Sequence, residues 1–266
     1  MRFPAALLIG LMLISGAFAA EEAVEAPAPA SMSAPEVITR VKGAMAAAGT
    51  IRAQLTLTCN HPAAYTSEIE ILASPTGDER AEMKTTIKEN SFRTLEVISG
   101  GTLWTEQETV AGPIVGKIDL SRVKAELRER GEQYPAMPVL GTNFALEVAN
   151  LARLVDFDRS EAAGSADDGC YILTGSLRRE FAEGKRPLPQ GAVDFYRVVK
   201  LAVDASTFLP ARIELGRKDG KPLAVVEIES LAANVETDEE TFKYTPPEEA
   251  QIVDRTEWVI AEITGG

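Results

Sequence analysis

The 266 residues carry 27 Lys and Arg against 40 Asp and Glu, a formal net charge of −13. A chain this acidic gains nothing from phosphate backbones, which excludes nucleic acid and anionic membrane surfaces as favourable partners. One histidine and two cysteines are too few for a zinc site of usual composition, and the length suits one large domain or two small ones.

Residues 1–20 have the pattern of a secretory signal peptide: Arg2, an apolar run from Ala5 to Ile14, then Ala17, Phe18 and Ala19 as the small-x-small cleavage signal. The run is well short of the roughly 20 apolar residues that a membrane span needs. Release into the periplasm is therefore expected, without lipidation, because no cysteine follows the cleavage site. Residues 21–34 are rich in Ala, Pro and Glu and are expected to be a disordered leader. A single domain is expected over residues 35–266. It opens at Ser33, with Glu36 at the capping-box spacing, and Val37, Ile38, Val41 and Met45 predict a helix that stops at Gly49.

Three alternating strands follow. Ile51, Ala53, Leu55, Leu57 and Cys59 form the apolar side of the first, Ser67, Ile69, Ile71 and Ala73 of the second, and Ala81, Met83 and Ile87 of the third. Side chains alternate between the faces of a strand, so each of these has one oily face and one wet face. Turn residues separate them, around Pro62, Pro75 with Gly77, and Asn90. A fourth strand runs from Arg93 to Ile98, Gly100 and Gly101 turn the chain into Thr102 to Trp104, and Ile114 to Ile118 adds another. A short polar helix is predicted from Asp119 or Ser121 to Arg130, and a second, with Phe144, Val148, Leu151 and Val155 on one face, from Phe144 to Val155. Ser160 to Gly169 reads as an acidic loop. Strands resume at Cys170 to Leu177, Val193 to Asp204, Ala211 to Leu215 and Leu223 to Leu231, and Phe242 to Val253 closes the chain. About ten strands and three helices make a mainly β protein. A sheet this wide must curl, and its hollow either encloses a ligand or is filled by its own side chains.

The chemistry-bearing residues are sparse. Cys59 and His61 stand two apart, but nothing orients the histidine and Pro62 follows it, so no catalytic pair is expected. There is no Gly-x-Ser-x-Gly and no phosphate-cradling loop, and the chain is not expected to be an enzyme or to carry a cofactor or metal. Two cysteines in an oxidising compartment make Cys59 and Cys170 a disulfide candidate, with two buried thiols as the alternative. Arg178, Arg179, Lys185 and Arg186 form a basic loop that is either plainly solvated or docks an acidic partner. Trp104 is either cavity lining or an ordinary core aromatic.

Two stretches resemble the LolA-like family of periplasmic lipoprotein carriers. Val97 to Trp104, VISGGTLW, is similar to a Trp-bearing motif of that family, and Glu240 to Asp254, ETFKYTPPEEAQIVD, is similar to its closing Pro-Pro motif, with Tyr244 and Ala250 differing from the commonest residues. Val203 to Pro210 and Gly141 to Leu146 are further patches of likeness. No Arg-Pro pair precedes the Trp strand, where family members often use that Arg to hold the lid. The resemblance implies an unclosed, strongly curved antiparallel β-barrel with a helical lid, which binds lipid, chiefly the acyl chains of lipoproteins. It implies receipt from an inner-membrane lipoprotein-releasing transporter and delivery to an outer-membrane acceptor, by a protein that acts as a monomer. The resemblance also extends to envelope-stress sensors that detect lipid or misfolded outer-membrane protein, so the alternative expectation is an envelope sensor or scaffold of the same fold with no transported cargo. Leu55, Leu57, Ile69, Ile71, Met83, Leu95 and Val97 are the expected inward-facing lining, with Phe144, Val148 and Leu151 as the lid.

Overall fold

A computed structural model describes residues 31–61, 63–109, 112–129, 151–164, 169–184, 196–217 and 219–264. The expected signal peptide, most of the leader, Phe144, Val148 and residues 185–190 of the basic loop lie outside them. The described strands form one twelve-stranded sheet in the order β12-β6-β5-β4-β3-β2-β1-β11-β10-β9-β8-β7. The first half is a meander: β1 (Ile51–Cys59), β2 (Tyr65–Ala73), β3 (Glu79–Ile87), β4 (Asn90–Ser99), β5 (Thr102–Thr109) and β6 (Gly112–Asp119). The second meander is β7 (Val155–Ala163), β8 (Cys170–Leu177), β9 (Val198–Asp204), β10 (Pro210–Gly216) and β11 (Pro222–Ala233), and it joins the first where β11 pairs antiparallel with β1. Of the twelve strands only β12 (Gln251–Asp254) is parallel to its neighbour, β6.

The sheet is unclosed, since β12 and β7 are its two ends, and it is curved. Helix α1 (Ala34–Ala47) leads directly into β1, yet it also touches β7, five strands away. Five strand spacings in a flat sheet would span about 24 Å, more than twice the width of a helix. The sheet therefore wraps around α1. Bulges at Gln54/Leu55, Phe157/Arg159 and Leu215/Gly216 supply local bends.

Helix α1 forms where the sequence predicts it. The Glu36 carboxylate accepts from the Ser33 backbone N–H at 2.9 Å and from its hydroxyl at 2.6 Å, which satisfies an end of the helix that has no intrahelical partner. Val37, Val41 and Met45 are buried in the hollow among Ala53, Leu55, Leu57, Ile69 and Ile71 from β1 and β2 and Leu173, Leu201 and Val226 from the other half. Leu151 and Leu154, in a helical segment over residues 151–154, complete this core.

Besides Val155, which opens β7 instead of ending a helix, three further features of the fold depart from expectation. The predicted loop Ser160–Gly169 is strand as far as Ala163, because β7 is an edge strand whose polar residues face water. The chain does not close at Val253: α4 (Thr256–Thr264) follows, with Asp254 accepting from the Thr256 N–H at 2.9 Å. Its Ile260 packs with Val123 and Leu127 of α2 (Leu120–Glu129). The third departure is the cysteines, which are both free. Cys59 is on β1 and Cys170 on β8, four strands apart, and the Cys59 thiol donates to the His61 carbonyl at 3.0 Å. Parity and compartment carry no information on strand order, so they could not reveal this separation.

Candidate functional site

The antiparallel register decides which side chains share a face, because directly opposed residues point the same way. Leu55 opposes Ile69, Ile69 opposes Met83, and Ala53, Ile71 and Ala81 form the next row on the same side. This is the side that α1 covers, so it is the concave face. Across β3 and β4, Ala81 opposes Glu96, Met83 opposes Thr94 and Glu79 opposes Ile98. Across β5 and β6 the face continues through Leu103, Thr105 and Gln107 to Ile118, Gly116 and Ile114.

Of the expected lining, Leu55, Leu57, Ile69 and Ile71 are on the concave face, but they are closed under α1 as packed core, each no more than 6% exposed. Met83 is half-buried at the margin of that core. Leu151, the described member of the expected lid, is buried in the same core.

Leu95 and Val97 are not on this face. They oppose Glu82 and Arg80 on β3 and Glu106 and Trp104 on β5, which places them on the outer side. The reason is a second cover. The Tyr244 hydroxyl donates to Glu106 at 2.5 Å, its ring centroid stands 5.6 Å from that of Trp104, and the 3-10 turn Glu239–Phe242 lies against β3 and β4. Val97, Val115 and Phe242 are buried beneath this C-terminal clasp. The two motifs singled out by resemblance thus meet on the outer face. Trp104 is neither cavity lining nor deep core: it is half-buried between Tyr244 and the Lys117 ammonium, 5.5 Å from its ring centroid. Gly100 and Gly101 both have positive φ, as a tight two-residue hairpin turn requires. A Cβ on Gly101 would also stand 2.3 Å from the Ser121 hydroxyl.

Among the described residues the concave wall of β3 to β6 is less deeply buried than the face under α1, although Ile118 at its β6 end packs with Val123, Leu127 and Ile260. Met83, Ile98, Leu103 and Ile114 are half-buried on this wall, and at the β3–β4 hairpin Phe92 and Ile87 carry the apolar surface outward, 50% and 37% exposed. Sequence reasoning missed Ile98, Leu103, Ile114 and Phe92 as candidates. Their signal was present in the alternation of β4 to β6, but it needed a choice of face that the sequence does not supply.

Glu96 interrupts this wall. Its Oε2 is buried with no hydrogen-bond partner, and burial pushes the carboxyl up from 4.5 to about 7. By contrast, a groove of about 600 Å³ on the outer side is lined by Glu68, Glu70, Glu82, Glu108 and Glu229 with Lys84 and Arg93. Arg93 pairs with Glu82 at 2.9 Å, and that hydrogen bond holds the Glu82 carboxyl below its ordinary range. Leu55, Ile69, Met83 and Phe92 also line this groove, so its lining is mixed, with ion pairs at its rim. Of the basic loop, Arg178 lies 4.0 Å from Asp156 and Arg179 pairs with Glu183 within the short helix α3 (Arg179–Ala182) and its cap.

The described residues thus form an unclosed, mostly antiparallel sheet curved around an N-terminal helix. A solved structure shares this fold. An uncharacterized conserved protein from Thermus thermophilus superposes with a TM-score of 0.51 at 15% identity, over 84% of this chain and 99% of that one. The Pseudomonas aeruginosa MucA/MucB complex gives 0.41 at 14% identity, over 79% of this chain and 60% of that one. A LolA superfamily protein from Nitrosomonas europaea gives 0.34 at 12% identity, over 80% and 99%. No protein-family model matches the chain, and no curated protein sequence does.

Proposed function

We propose that this chain is a non-enzymatic periplasmic carrier that holds lipid, chiefly the acyl chains of a lipoprotein, against the concave wall of β3 to β6 for transfer toward the outer membrane. The observation that carries this reading is the set of half-buried apolar residues Met83, Ile98, Leu103 and Ile114 on the concave face, with Thr94, Glu96, Thr105 and Gln107 among them and the exposed Phe92 and Ile87 at the β3–β4 hairpin. The closed core beneath α1 offers stability, and the less deeply buried wall beside it offers a place for hydrocarbon. Each methylene buried there contributes about 0.8 kcal/mol, so one long acyl chain suffices for useful affinity. The family likeness of the two motifs supports the same reading.

Native mass spectrometry of the mature protein purified from its own envelope tests it. An adduct that dissociates as lipid or acylated protein is the expected result. A clean apo mass, with no uptake of added lipid, overturns the carrier and leaves a cargo-free envelope sensor or scaffold of the same fold.

A further inference from the structure

We propose that Glu96 is the polar anchor of the cargo site, accepting a hydrogen bond from a donor (amide N–H, hydroxyl or ammonium) attached next to the acyl chain. This rests on the carrier reading and narrows it to a class of cargo. The register sets Ile71, Ala81, Glu96, Thr105 and Gly116 in one row across the concave face of β2 to β6. Ala81 and Gly116 have almost no side chain to shield the carboxyl from the hollow. Glu79 shares the face of β3 opposite Ile98 and is more deeply buried, at 2% exposed; its Oε2 also lacks a hydrogen-bond partner, but unlike Glu96 the residue has another interaction of its own. At the far end of the row the Arg255 guanidinium carbon stands 3.8 Å from where a Cβ on Gly116 would be, so the row has a cationic end as well.

A glutamate in this position is costly to the fold. One oxygen has no partner among the described residues, and burial alone raises its pKa, with no cation there to offset it. Outward positions beyond the clasp, such as those of Lys84, Arg93 and Glu108, would have left the same side chain hydrated. A carboxyl in an apolar wall, flanked by small residues, is instead placed to meet a group that the hydrocarbon brings with it. Above about pH 7, where the carboxyl is ionised and can only accept, a donor on the cargo satisfies the orphaned oxygen, whereas a plain ester cannot.

The test compares three probes of equal chain length, tetradecylamine, tetradecanol and methyl tetradecanoate, below their aggregation limits. At about pH 8.5, where Glu96 is ionised, each displaces a fluorescent fatty acyl probe from wild type, Glu96→Leu and Glu96→Gln. Wild type is expected to bind the amine and the alcohol about tenfold or more tighter than the ester. Glu96→Leu should level the three, while Glu96→Gln keeps the preference for alcohol and loses that for amine. Glu96→Leu should melt no lower than wild type, since it removes a buried, unpartnered carboxyl. Equal binding of all three by wild type, or an unchanged ranking in Glu96→Leu, overturns the anchor alone. Failure of wild type to bind any of them overturns the carrier reading and the anchor together.

Discussion

Glu96 shows how one residue ties stability to chemistry. Its folded pKa of about 7 lies above its ordinary 4.5, so the fold favours the protonated form. The associated stability is fully present below about pH 4.5 and is lost as pH rises through about 7. Thermal melts across that window should show wild type losing up to about 3 kcal/mol relative to Glu96→Gln. Parallel pH profiles for the two proteins would remove the desolvated carboxyl from the account. At Tyr244, replacement by Phe deletes the hydroxyl that bonds Glu106 and leaves the ring against Trp104. Chemical denaturation should then register a loss of about 1 to 2 kcal/mol, with lipid uptake unchanged because the clasp is on the outer face.

Strand β4 is the element in which the two covers of the sheet are distinguished. Its apolar Leu95 and Val97 point outward under the clasp, while Thr94, Glu96 and Ile98 face the hollow. In β1 and β2 alternation was enough, because one face is solvated and the other is core. In β4 the outer face is buried under the clasp and the concave face is half-buried, so hydrophobicity marks burial without saying which side lies under a cover. Substitutions along β4 separate the two roles. Val97→Ala should cost about 1 to 3 kcal/mol of stability and spare lipid uptake. Ile98→Asn should abolish or sharply weaken uptake in a protein that still melts cooperatively. The reverse outcome in a displacement assay would place the cargo on the outer face.

Across the whole molecule, one core joins the two meanders through β1 and β11, with α1 as its filling. No covalent bridge assists it, because Cys59 and Cys170 are far apart in the strand order. Thiol titration of the denatured protein without reductant should therefore find two free thiols, and reductant should leave the melting curve unchanged. One thiol or none would mean that the cysteines pair. Replacing Val41 by Asp places an unpaired charge where α1 meets the sheet and should cost several kcal/mol, enough to unfold the protein.

The sequence by itself determined what depends on neighbours along the chain. Period-two alternation located β1 to β3, the Ser33–Glu36 box started α1, and paired glycines turned β4 into β5. The motifs Val97–Trp104 and Glu240–Asp254 pointed to the fold, although their residues serve the outer clasp and not the cavity. Only the tertiary structure decided which apolar residues are core, which are clasp and which are half-buried wall. Leu57, Val97 and Ile98 look alike in a strand, and they differ only in what the rest of the chain lays over them. Covers arrive from α1 and from residues near 240, which are separated from β4 by long stretches of sequence. Alternation records that a face is covered, but the identity of the cover is a long-range property that no local pattern encodes.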